Sequence, residues 1–166
     1  RSLAHAAPTD PDALLALAEA ALAQRDAKLA QNALKQRALL LPEDVQAQTL
    51  LGRSLRMGGD VDGAEAAFRR ALTLSPGYVE AQAALAALLL ARGQFAQADA
   101  VYRELALRDE TALSGRLGRV EALLGLGKLA DAQVQLEAAP EAERATVAYR
   151  EQAAKLALVR GEVAQA

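Results

Sequence analysis

Apolar residues recur along this chain at three- and four-residue steps, and short polar turns interrupt them at regular intervals. Between Val45 and Gly58 the pattern puts Leu51 and Leu55 at i and i+4, which is one face of an α-helix. From roughly Asp60 to Leu74 a second stretch aligns Val61, Ala64, Phe68 and Ala71 along one face. Gly59 separates the two, and glycine suits the left-handed turn that ends a helix because it has no Cβ to clash there. Pro76 follows the second stretch, where proline can neither donate to the helical ladder nor leave the preceding residue helical. The pattern therefore predicts helix, tight turn, helix, short loop, with each helix of about 14 residues spanning roughly 21 Å.

This unit repeats. Gly59, Gly93, Gly127 and Gly161 each lie 34 residues after the last, and five residues beyond them come Ala64, Ala98, Ala132 and Ala166. The same step backwards reaches Arg25 and Ala30, a first copy whose glycine is replaced. Two residues after each marker stand Ala27, Val61, Phe95, Leu129 and Val163; nine after it stand Leu34, Phe68, Tyr102 and Leu136. Pro8, Pro42 and Pro76 keep the same spacing. Phe68 and Tyr102 are expected to plug the space between helices, so that Phe68→Ala costs roughly 3–5 kcal/mol. Ala64 and Ala98 are expected at close helix crossings, where leucine would overpack by about 1–3 kcal/mol.

In this register the chain resembles the tetratricopeptide repeat family, whose unit is a helix pair with small residues where the helices cross. The second copy matches best, with Leu51-Gly52, Leu55, Gly59, Ala64, Phe68, Ala71 and Pro76 in place. The third keeps Leu85-Ala86, Leu89, Gly93, Ala98 and Tyr102 but has Glu110 instead of proline. The fourth keeps Leu123, Gly127, Ala132, Leu136 and Ala139 and has Arg119-Val120 where Leu-Gly or Leu-Ala is usual. The first keeps Leu17-Ala18, Ala30, Leu34 and Pro42 and carries Arg37 where alanine is preferred; the family's aromatic near the start of the first helix is absent throughout. The resemblance implies an all-α fold, a right-handed superhelical solenoid of antiparallel helix pairs.

The expected division is a tail of a preceding repeat over 1–10, repeats over 11–44, 45–78, 79–112 and 113–146, and a shortened fifth repeat over 147–166, all in one solenoid. Neither end shows the polar capping helix with which repeat arrays usually finish. The expectation is a segment of a longer array whose uncapped ends self-associate.

Composition narrows the function. Alanine dominates an apolar share of 52% while aromatics are 3%, which suits thin layers between closely packed helices. A net charge of −2 supplies no broad field for nucleic acid. With no cysteine there is neither a disulfide nor a thiolate metal site, and both cytoplasm and periplasm remain compatible. The longest apolar run, Ala83 to Ala91, is about half of what a bilayer span needs, so no direct membrane insertion is expected.

Candidate chemistry is sparse. His5, the only histidine, has no carboxylate or second histidine arranged around it and reads as a tail residue. Gly125-Leu-Gly-Lys128 resembles the end of a phosphate loop, but Ala122 and Leu129 stand where that motif needs glycine and a hydroxyl. Glu137, Glu141 and Glu143 surround Pro140 and read as a solvated loop rather than paired catalytic carboxylates. No nucleophile, base and orienting group assemble, so no enzyme activity and no cofactor are expected.

The resemblance directs attention instead to the first helices, which in the family line a concave face. Counting from Pro11, Val45, Val79, Leu113 and Val147, the second, fifth, ninth and twelfth positions are expected to face a partner. They are Gln46, Thr49, Arg53 and Arg56; Glu80, Ala83, Ala87 and Leu90; Ser114, Leu117, Glu121 and Leu124; and Ala148, Glu151, Lys155 and Leu158. Chaperone-binding members hold a C-terminal carboxylate with lysine at the fifth position and asparagine at the ninth; Thr49, Arg53, Ala83 and Ala87 do not match that clamp. An apolar middle from Ala83 through Leu90 to Leu124 with charged flanks suits an amphipathic helix or an extended apolar peptide. The function expected is a protein-binding scaffold, bacterial by its alanine- and leucine-rich usage. The alternatives are a periplasmic arm of a bacterial export or assembly system for polysaccharide, pili or cytochromes, and a targeting domain attached to an enzyme such as a glycosyltransferase.

Overall fold

The structure, a computed structural model, describes residues 10–108 and 111–161. His5, the tail through Pro8, Glu110, Val163 and Ala166 lie outside the described residues. The first helix starts at Asp10, whose side chain accepts the Ala13 N–H at 2.9 Å, with Pro11 next, where no amide donor is needed. Helix α1 spans Pro11–Ala23 and α2 Ala27–Leu40; α3 spans Val45–Met57 and α4 Val61–Leu74; α5 spans Val79–Ala91 and α6 Phe95–Ala106. Helix α7 spans Ala112–Gly125, α8 Leu129–Glu137, α9 Glu141–Arg144 and α10 Val147–Arg160. The first helices begin at the expected residues, except α7, which starts one residue early.

The glycine markers do what the pattern required. Gly59, Gly93, Gly127 and Gly161 all have positive φ, between 70° and 88°. At Gly59 the turn is a Schellman motif: the Asp60 N–H reaches back to the Leu55 carbonyl at 2.9 Å, and the Gly59 N–H to that of Arg56 at 3.1 Å. Asp60 also opens the next helix, its Oδ1 accepting the Gly63 N–H at 2.8 Å. In the first copy Arg25 takes the left-handed conformation itself, with φ 60°, and Asp26 caps α2 through the Leu29 N–H at 2.9 Å. Gln94 and Lys128 occupy the capping place in the third and fourth copies without a side-chain bond.

The chain divides into two compact units, one ending at Ala84 and the other starting at Leu85, within α5. In the first unit Leu14, Ala18, Ala33, Leu34 and Ala47 form a buried cluster, and Phe68, Ala64 and Ala71 are fully buried. Arg37 is also buried: its Nε donates to Asp44 Oδ2 at 2.5 Å and its Nη1 to the Pro11 carbonyl, with Asp12 at 3.4 Å. Arginine at a small-residue position therefore ties the start of α1 to the loop before α3.

In the second unit Leu117, Val120, Leu123, Ala132, Leu136 and Leu156 form the core. Helices α6 and α7 approach closely at Gly115, where a Cβ would stand 2.3 Å from the Ala106 backbone nitrogen. Arg119, at the other unusual position, bridges three helices by donating to Asp99 Oδ1 and Gln135 Oε1, each at 2.9 Å. The expected solvated loop around Pro140 needs correction. Helix α8 ends at Glu137, and residues 141–144 make a single helical turn in which Glu143 accepts a bond from Arg116 Nε at 3.1 Å. Glu137 and Glu141 are exposed as expected.

Candidate partner-binding surface

The second and ninth positions of the first helices are open. Gln46, Glu80, Ser114 and Ala148 are exposed at the second position, and Arg53, Ala87, Glu121 and Lys155 at the ninth. Some are held by neighbours: Gln46 Nε2 donates to Glu19 Oε1 at 3.1 Å, Ser114 Oγ to the Thr111 carbonyl at 3.0 Å, and Lys155 lies 3.7 Å from Glu121.

The fifth position behaves differently, and two expected partner contacts are corrected here. Thr49 is buried, its hydroxyl turned back to the Val45 carbonyl at 2.8 Å. Leu117 is buried in the core cluster with Leu156 of α10. Neither offers a side chain to a partner. For Leu117 a single helix's period cannot reveal this, because the cover comes from another helix, α10 packing on α7. Ala83 is half-buried at the same position, while Glu151 on α10 is exposed. At the twelfth position Arg56 and Leu158 are exposed, Leu90 is half-buried, and Leu124 packs against the second unit's core.

Two clefts gather these residues. In the first unit Arg53, Arg56 and Ala83 line a cleft of about 680 Å³ together with Leu22, Arg25, Met57 and Ala84. In the second unit Ala87, Leu90 and Glu121 line one of about 320 Å³ with Ala91, Phe95 and Tyr102. Burial, with the Glu121 carboxylate adding to it, pushes the Tyr102 hydroxyl up to about 12. Tyr78, next to α5, is also raised, by burial first and by Glu80 and Asp44, against the Arg53 guanidinium that lowers it. Among the described residues no group of three or more histidine, cysteine or acidic side chains is arranged to hold a metal, and no helix is long and apolar enough to cross a membrane.

Profiles of the tetratricopeptide repeat match residues 15–79 and 55–114. The chain belongs to the tetratricopeptide repeat family. No curated protein sequence matches it. Solved structures do. A fragment of MamA from Desulfovibrio magneticus RS-1 is 18% identical with a TM-score of 0.81, over 91% of this chain and 85% of that one. A thermophilic TPR protein of Thermus thermophilus is 21% identical, TM-score 0.69, over 90% and 82%. The TPR2B domain of yeast Sti1 in a complex with pHsp70 is 14% identical, TM-score 0.53, over 87% and 97%. These likenesses show the fold.

Leu22 is the twelfth position counted from Pro11; three other residues of this cleft escaped the sequence expectations: Arg25, Met57 and Ala84. The signal for Arg25 was present, since a long cationic side chain stands where the other copies have glycine. Met57 and Ala84 carry no such mark, because neither stands at one of the counted register positions.

Proposed function

We propose that this chain is a protein–protein interaction scaffold that holds a segment of a partner against the open positions of its first helices. The observation that carries the proposal is the constancy of those positions. The second and ninth register positions on α3, α5, α7 and α10 are all exposed, while their side-chain types change from copy to copy: Gln46 and Arg53, Glu80 and Ala87, Ser114 and Glu121, Ala148 and Lys155. A repeated backbone with varied open side chains is how repeat proteins present a binding surface. The complex of the Sti1 domain with pHsp70 supports the class of partner, a protein or peptide. A pull-down with this chain beside an Arg53→Glu, Arg56→Glu, Leu90→Glu variant tests it. The two should recover different sets of proteins, and identical sets would sink the proposal.

A further inference from the structure

Arg25, Arg53 and Arg56 line one cleft in the first unit, and none of them has an ion pair among the described residues. They come from separate elements. Arg53 and Arg56 stand on successive turns of α3, and Arg25 is in the left-handed residue between α1 and α2. Among the described residues no carboxylate lines the cleft. Two other clefts that hold arginine also hold carboxylates. Beside Arg37 lie Glu43 and Asp44, and beside Arg103, Arg119 and Lys128 lie Asp99 and Asp131. The unmatched cleft stands out in a chain whose net charge is −2.

The rest of its lining is apolar, from Leu22, Met57 and Ala84. At about 680 Å³ it has the size of clefts that take ligands. Resting on the scaffold proposal above, we infer that this cleft takes an acidic peptide segment, with glutamate or aspartate side chains on the arginines and an apolar side chain on Met57. Guanidinium groups bind carboxylates with paired, directional hydrogen bonds, so convergent arginines select carboxylates over a neutral polar chain. Met57 adds an adaptable apolar floor that fixes no single side-chain shape. The set differs from the family's peptide clamp: Arg53 stands at the ninth position, where that clamp has asparagine, but the fifth position is the buried Thr49, Arg56 is at the twelfth and Arg25 belongs to the turn.

The test is fluorescence anisotropy with a labelled peptide of alternating glutamate and leucine, a matched glutamine–leucine peptide, and a single-stranded thymidine oligonucleotide as a plain polyanion. The glutamate peptide should bind most tightly and weaken as salt is raised from about 0.05 to about 0.5 M. An Arg25→Gln, Arg53→Gln, Arg56→Gln variant should bind it about tenfold more weakly or worse. Arg70→Gln, an exposed arginine on α4, should bind it as the natural chain does. Equal binding of the glutamate peptide to the triple variant would overturn the inference, as would equal or tighter binding of the oligonucleotide. If only the glutamine peptide binds, and Leu90→Glu weakens it, the acidic assignment falls while the scaffold proposal stands. If neither peptide binds and the pull-down sets are identical, both fall.

Discussion

A Cβ placed on Gly52 would stand 2.4 Å from Cε1 of Phe68, and Phe68 is fully buried. The ring of α4 thus occupies the space next to the α3 backbone that any larger residue would need. Gly52→Ala should destabilise by about 1–3 kcal/mol through overpacking, and Phe68→Ala by about 3–5 kcal/mol through the cavity left behind. Because they share one space, the double variant should lose clearly less than the two losses added together. Urea denaturation of the four proteins measures this; strict additivity would mean that the two residues do not touch.

The left-handed turn at Arg25 gives a second prediction. A non-glycine residue there carries a penalty of about 1–2 kcal/mol. Arg25→Gly should therefore stabilise the fold by about 1 kcal/mol, a rise in Tm of about 2–4 °C. The same variant should bind the acidic peptide more weakly. A melt that shows no gain would mean that the turn holds arginine without strain.

Tyr102 predicts a pH dependence. Its hydroxyl is pushed up to about 12 from an ordinary 10.0, so the folded chain holds this proton more tightly than the unfolded chain does. The corresponding stability is fully present below pH 10 and is lost as pH rises towards 12, a total of about 2–3 kcal/mol. Tyr102→Phe should flatten this part of the stability profile. Guanidinium titrations across that range decide it: parallel profiles would exclude Tyr102 as the source.

Lys128 stands at the start of α8 with no capping bond and a charge of the wrong sign for a helix N-terminus. Lys128→Asp should stabilise the fold by about 1 kcal/mol, and Asp60→Ala, which removes an existing cap, should cost about as much. Thermal melts of the two variants should move in opposite directions.

Much of this fold was legible because each marker has a local backbone cause. Gly59 must turn left, Asp60 must cap, and so the end of α3 and the start of α4 follow from residues adjacent to them. What the chain did not disclose depends on other helices. Thr49 and Leu117 sit at a position that the resemblance assigns to an open face, yet Leu117 meets Leu156 of α10, some 39 residues away. The cleft around Arg53 needed Leu22, Arg25 and Met57 brought together from different elements. Glu143 read as a loop residue because its partner Arg116 lies 27 positions earlier, outside any local pattern.

Asp60 serves α3 through its amide and α4 through its carboxylate, so one residue closes one helix and opens the next. Neither end can fray without loosening the other. For hydrogen exchange this makes the hairpin, rather than the single helix, the smallest piece that opens: amides in the last turn of α3 and the first turn of α4 should exchange at matched rates. Where the capping place holds Gln94 or Lys128, only the amide half of the link remains, and the two helices on either side should be able to open out of step.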